Sequence, residues 1–151
     1  MAANGSLDTA GVIAKLYQNA FGRSVDPGGA AFWASVAAVR GLGIVAVGLA
    51  GRIARTGVDL MRTAGRKVGL VRPISLFPFP VDGFRPLVNR PRKWLVVEMN
   101  AGQMVEDVKT TLFDLGRVDP VKFYGRQGGV IPTPEEIAEV VEREFPIGGA
   151  R

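Results

Sequence analysis

Residues 42–146 predict a three-layer α/β fold, a mainly parallel sheet of about four strands between helices. A helical hairpin is expected ahead of it over residues 1–41, and a disordered tail after it at 147–151. Three observations carry this. Trp94 to Val97 is a continuous apolar run of β-formers, the pattern of a buried strand. Met104, Val105, Val108, Leu112 and Leu115 follow within a few residues at helical spacing, and a strand passing into a helix with almost no loop is one step of a parallel α/β fold. From Gly41 onward, apolar strand-like runs alternate with amphipathic helical stretches that end in glycine, which predicts crossover units rather than hairpins.

In order, Val12, Ile13, Leu16, Tyr17, Ala20 and Phe21 form the apolar stripe of a first helix, ended by Gly22. Asp26-Pro27 restarts a second, with Asp at the N-cap and Pro at the first helical position, and Phe32, Trp33, Val36 and Ala37 continue it. Ile44–Val47 is a short strand. Leu49–Ala64 is a helix closed by Gly65, and Lys67–Val71 is the next strand. Three prolines in Arg72-Pro-Ile-Ser-Leu-Phe-Pro-Phe-Pro80 exclude a regular helix and give a stiff, extended connection. A short helix is expected at 84–89, broken by Pro86 and Pro91. The central strand then reaches Asn100, a good N-cap with Gln103 three residues on, so that Asn100-Ala-Gly-Gln103 fits a capping box. Gly116 closes the central helix, Pro120–Tyr124 is the last strand and Gly125–Gly129 a loop. Thr133-Pro134-Glu135-Glu136 is a strong helix start, with Ile137, Val140, Val141 and Phe145 turned to the core.

The chain has 151 residues and no cysteine or histidine. Thiol nucleophiles, disulfides, iron–sulfur ligation, imidazole bases and most zinc sites are thereby excluded. Residues 1–92 carry 12 Lys/Arg and 4 Asp/Glu, while residues 93–151 carry 7 and 10. Asymmetry of this kind can mark a nucleic-acid or membrane surface. Here the basic residues are scattered and aromatics do not alternate with them, so a solvated basic face is expected and no nucleic-acid partner. The first 14 residues lack the basic region of a secretory leader. From Gly28 to Gly51 the only charge is Arg40, a stretch long enough to span a bilayer. Arg40 would sit near its centre at a cost of about 2.5–3.5 kcal/mol, and glycines interrupt it, so it is read as helix, turn and strand with no membrane partner.

Few residues offer chemistry. Gly48-Leu-Ala-Gly51 joins a strand to a helix, a place where phosphates bind, but it lacks the full glycine pattern and the acidic residue of a dinucleotide fingerprint; a turn that needs small residues is preferred. Glu98, Glu106 and Asp107 are a carboxylate set of the kind that does acid/base work or holds Mg²⁺. Glu106 and Asp107 fall in a first helical turn, where the helix dipole favours acids in any case. Glu98 ends a buried strand, as Arg72 does, and an ion pair between them across neighbouring strand ends is the preferred structural expectation.

Two stretches carry resemblances. Leu16-Tyr-Gln-Asn-Ala-Phe-Gly-Arg-Ser-Val-Asp-Pro-Gly-Gly-Ala-Ala-Phe-Trp33 resembles a short helical module of bacterial surface and secreted proteins, through its Leu-Tyr, Gly-Arg, Asp-Pro and aromatic-Trp elements. Lys67-Val-Gly-Leu-Val-Arg-Pro-Ile-Ser-Leu-Phe-Pro-Phe-Pro80, Val96-Val-Glu-Met-Asn-Ala-Gly-Gln-Met-Val-Glu-Asp-Val108 and Tyr124-Gly-Arg-Gln-Gly-Gly-Val-Ile-Pro-Thr-Pro-Glu-Glu-Ile137 stand in that order. Together they resemble the C-terminal, transketolase C-terminal-like domain of the α subunit of 2-oxoacid:ferredoxin oxidoreductases, across residues 42–145. Phe77 stands where that family commonly has Trp.

The second resemblance implies membership of enzymes that oxidatively decarboxylate 2-oxoacids with thiamine diphosphate, coenzyme A and ferredoxin. It implies a scaffold role for this segment, since the pyrimidine-binding domain that precedes it in the family is not matched by residues 1–40. The expected function is the non-catalytic C-terminal domain of an α subunit of 2-oxoglutarate or branched-chain 2-oxoacid type, in the cytoplasm. It would act through contacts with the other oxidoreductase subunits, β and possibly γ or δ. No cofactor is expected in this chain; thiamine diphosphate, Mg²⁺ and iron–sulfur clusters belong to the parent complex. No catalytic, cofactor-binding or metal-binding residue is named. The candidate interface and structural residues are Arg72, Phe77, Phe79, Glu98, Asn100, Gly102, Gln103 and Arg126. The alternative is a stand-alone bacterial binding or surface-interaction protein that works through its hairpin. The join between two unrelated stretches fits a natural fragment, a fusion or an engineered chain.

Overall fold

A computed structural model describes residues 41–87 and 92–146. The expected hairpin over 1–41, apart from Gly41, and the tail at 147–151 lie outside the described residues. The elements run β1 (Gly41–Ala46), α1 (Gly48–Thr63), β2 (Val68–Val71), α2 (Val81–Phe84) with a 3₁₀ turn at Arg85–Leu87, β3 (Arg92–Glu98), α3 (Met104–Asp114), β4 (Val121–Gly125) and α4 (Pro134–Glu144). The four strands form one sheet in the order β2-β1-β3-β4, and every pairing is parallel.

Side-chain alternation explains the layers. Leu42, Ile44 and Ala46 of β1, Val68 and Leu70 of β2, and Leu95 and Val97 of β3 share one core with α1 (Ala50, Ala54, Val58, Met61) and α4 (Ile137, Val140, Val141). The intervening positions, Val45, Val71, Trp94 and Val96, lie on the opposite face and are also buried. Strands covered on both faces read as unbroken apolar runs, as Trp94–Val97 does. Trp94 is 0% exposed. Its ring lies over Gly43, where an added Cβ would come within 2.5 Å of it. Phe84 stacks on it at 5.9 Å, Phe79 stacks on Phe84 at 5.7 Å, and its indole N–H donates to Asp119 at 3.0 Å.

The helix ends follow local chemistry. Gly65 and Gly116 stand at positive φ, and the two amides after each helix turn back to its last carbonyls, Gly65 to Arg62 and Arg66 to Met61, Gly116 to Phe113 and Arg117 to Leu112, as glycine termini do. Thr133 and Glu136 form the expected reciprocal capping box at α4. Arg66 ties the far end of α4 down, donating to the Phe145 carbonyl at 2.9 Å and pairing with Glu142 at 2.9 Å. The short helix expected at 84–89 lies earlier: α2 ends at Phe84 and the chain tightens into the 3₁₀ turn containing Pro86. Pro86 has no N–H to continue an α-helical ladder. Positions 88 and 89 are outside the described residues. Among the described residues no helix is long and apolar enough to cross a membrane.

Candidate functional site

The strand order makes a crevice. From β1 the chain moves outward to β2, then returns across β1 to form β3 on its other side. The connections leave the carboxyl ends of β1 and β3 in opposite directions, which is where open α/β sheets have their clefts. A cleft of about 360 Å³ opens at this point. Val47 and Ala50 wall it from the β1–α1 turn, Leu76 from the proline-rich loop, and Met99 and Met104 from the β3–α3 turn. Its polar groups are Glu98, Asn100, Gln103 and Asp107.

Glu98 is 4% exposed and its carboxylate accepts the backbone N–H of Met104 at 2.8 Å and of Val105 at 2.9 Å. These are first-turn amides of α3, which have no partner inside the helix. A buried carboxylate there is favoured both by these bonds and by the helix dipole. This corrects two expectations. Asn100 does not cap α3: the helix begins four residues later, and the Asn100 carboxamide oxygen instead accepts from Gly102 N–H at 2.8 Å and Gln103 N–H at 3.4 Å, folding the turn. Nor does Glu98 pair with Arg72. Their strands are not neighbours, because β1 lies between β2 and β3, and both Glu98 oxygens are engaged by α3.

The other named residues divide. Asn100 and Gln103 line the cleft beside Glu98. Gly102 completes the turn at φ +99° against Val105 and Phe123. Arg72 is half-buried beside α1, with its Nε where a Cβ on Gly51 would be 2.8 Å away. Gly51 therefore has little room for a side chain, whereas Gly48 faces open space at φ +54°. Phe79 is packed on Phe84 and anchors the proline-rich loop, while Phe77 is 98% exposed. Ser75 Oγ donates to the Pro78 carbonyl at 3.0 Å within the same loop. Arg126 stands at the end of β4, away from the cleft lining; it donates to the Tyr124 hydroxyl at 2.9 Å and to Glu136 at 2.6 Å. The Tyr124 hydrogen bond, then the Glu136 charge, holds its pKa above the usual arginine value.

The carboxylate set is split. Glu106 is exposed and pairs with Lys109 at 2.7 Å, whereas Asp107 lines the cleft. Sequence reasoning missed the walls formed by Val47, Ala50, Leu76, Met99 and Met104. Leu76 adjoins Phe77, but which of them turns to the cleft depends on a loop path that no periodicity encodes. Iron–sulfur ligation needs thiolates and the chain has no cysteine. Among the described residues no group of three or more acidic side chains is arranged to hold a metal ion.

Comparison with known proteins agrees with this architecture. The family model described as pyruvate:ferredoxin oxidoreductase core domain II matches residues 41–137. The ketoisovalerate oxidoreductase subunit VorB of Methanothermobacter thermautotrophicus is 37% identical over 106 residues, covering 70% of this chain and 28% of VorB. The chain thus spans under a third of that relative's length. A solved 2-oxoglutarate:ferredoxin oxidoreductase from Magnetococcus marinus, with 2-oxoglutarate, coenzyme A and succinyl-CoA bound, superimposes with a TM-score of 0.60 at 25% identity, over 70% of this chain and 18% of that one. A split-gene transketolase, as an inactive β4 tetramer, superimposes at 0.54 with 18% identity, over 69% of this chain and 38% of that one, and shares the fold. The family match over residues 41–137 and the VorB relative show that the chain belongs to the family of pyruvate:ferredoxin oxidoreductase core domain II, the transketolase C-terminal-like domain of 2-oxoacid:ferredoxin oxidoreductase α subunits.

Proposed function

We propose that this chain works as a non-catalytic scaffold domain of a cytoplasmic 2-oxoacid:ferredoxin oxidoreductase, of the 2-oxoglutarate or branched-chain type, and acts by contact with the other subunits. The observation that carries the reading is the family match over residues 41–137. The site chemistry supports it. The cleft's buried carboxylate is committed to helix amides, and among the described residues its lining holds no hydroxyl, thiol or amine side chain. Thiamine diphosphate, Mg²⁺ and the iron–sulfur clusters would be held by the other parts of the complex.

The test is calorimetry of the purified chain with thiamine diphosphate and Mg²⁺, together with dye reduction driven by 2-oxoglutarate or 2-oxoisovalerate. The expected result is no saturable cofactor binding and no turnover. Micromolar cofactor binding, or turnover by the chain alone, overturns the scaffold role.

A further inference from the structure

We propose that the carboxyl end of the sheet is a two-way docking face: Phe77 inserts into a partner polypeptide, and the cleft beside it receives a lysine or arginine side chain from that partner. This rests on the reading above, so the partner is another polypeptide of the 2-oxoacid oxidoreductase.

Four apolar side chains gather at this end of the molecule. Leu49 is exposed in the first turn of α1, Leu76 and Phe77 in the proline-rich loop, and Met99 at the end of β3. Leu76 and Met99 both line the cleft that Val47 and Ala50 also wall. Phe77 is presented on a loop fixed from beneath: Phe79 stacks on Phe84, which stacks on the buried Trp94, and Ser75 closes the loop on Pro78. A fully exposed aromatic on a pre-ordered loop binds with little ordering cost, and such aromatics dominate interface energetics.

The cleft supplies the complement. Its lining holds two carboxylates, Glu98 and Asp107, and no cation, in a chain whose net charge is +5. Glu98 is engaged by the Met104 and Val105 amides. Asp107 has no ion-pair or hydrogen-bond partner among the described residues and is the carboxylate left to pair. A lysine or arginine carries its charge on an aliphatic stem, which matches apolar walls leading to an acid. The same acid repels nucleic-acid and lipid phosphates, so the occupant is protein.

The experiment mixes the full chain with the purified oxidoreductase subunits encoded in the same genome and measures affinity by calorimetry at low and high salt. Phe77→Ala is expected to weaken binding about tenfold or more. Asp107→Asn is expected to weaken it about fivefold and to flatten its salt dependence. Phe113→Ala, on the exposed side of α3 and outside the cleft lining, is expected to bind as the unsubstituted chain does. All three positions are solvent-exposed, and unchanged unfolding midpoints establish that the variants are folded. A complex that forms but ignores Phe77→Ala and Asp107→Asn overturns the docking face and leaves the scaffold role standing. A complex weakened by Phe77→Ala alone overturns the cationic insertion. Absence of any complex with these subunits overturns the scaffold role, and the docking face with it.

Discussion

Glu98 caps a helix from the end of a strand. Most caps come from the residue next to the helix; this one comes from six and seven residues back and ties β3 to α3 through a single carboxylate. Glu98→Ala leaves two amides unsatisfied in a buried site, and the expected loss is about 2–4 kcal/mol, read as a fall in the urea midpoint at unchanged slope. Asn100→Ala removes only the turn bonds to Gly102 and Gln103, and the expected loss is about 0.5–1.5 kcal/mol. Equal losses in the two variants would show that Glu98 holds the helix start no more strongly than Asn100 holds the turn. A second residue-scale test lies at Gly43. An added Cβ has no room beneath the Trp94 ring, so Gly43→Ala is expected to lose about 1–3 kcal/mol by overpacking. Trp94 fluorescence should shift as the ring is displaced from Asp119; an unshifted spectrum at full stability would mean that the ring yields freely.

At the scale of elements, α4 is held at both ends by chemistry of different range. Its start is local: Thr133 and Glu136 exchange hydrogen bonds, and Thr133→Ala is expected to lose about 1 kcal/mol in thermal unfolding. Its end is not. Glu144 pairs with Arg143 and with Lys122 of the edge strand β4. The Arg143 hydrogen bond, opposed by burial and aided by Lys122, holds the Glu144 carboxyl below its ordinary value. A depressed folded-state pKa contributes stability above the unfolded value that is lost as pH falls through the folded one. Glu144→Gln is therefore expected to lower stability slightly at neutral pH and to match the unsubstituted chain at acid pH, where Glu144 is protonated, so that the acid side of the stability–pH curve flattens. An identical acid slope would remove Glu144 from that account. The same contrast of range explains what was legible in sequence. Thr133-Pro134-Glu135-Glu136 specifies its helix start alone, and Gly65 and Gly116 mark helix ends by backbone preference. The α3 start was misplaced because its cap arrives from β3. The Arg72–Glu98 pair was misjudged because sequence order suggests adjacent strands, and the crossover puts β1 between them.

For the whole molecule, the strand count, the parallel direction and the two-sided burial were visible in the alternation of apolar runs with capped helices. Strand order was not, because nothing in Val68–Val71 or Trp94–Val97 states which side of β1 each takes. The cleft depends on that order and was hidden with it. Helices from residues 41–146 cover both faces of the sheet, so a chain beginning at Gly41 is expected to be soluble and to unfold in one cooperative transition by circular dichroism. An insoluble or molten product would show that residues 1–40 complete the core. The strand-borne cap also makes the molecule self-reporting. First-turn helix amides ordinarily trade their protons with solvent in a frayed end. The Met104 and Val105 amides are instead locked to the last residue of the central strand, which is paired on both sides. Deuterium can enter those two positions only when the middle of the sheet comes apart, so their exchange rate is a clock for global opening in a place where helices are normally silent.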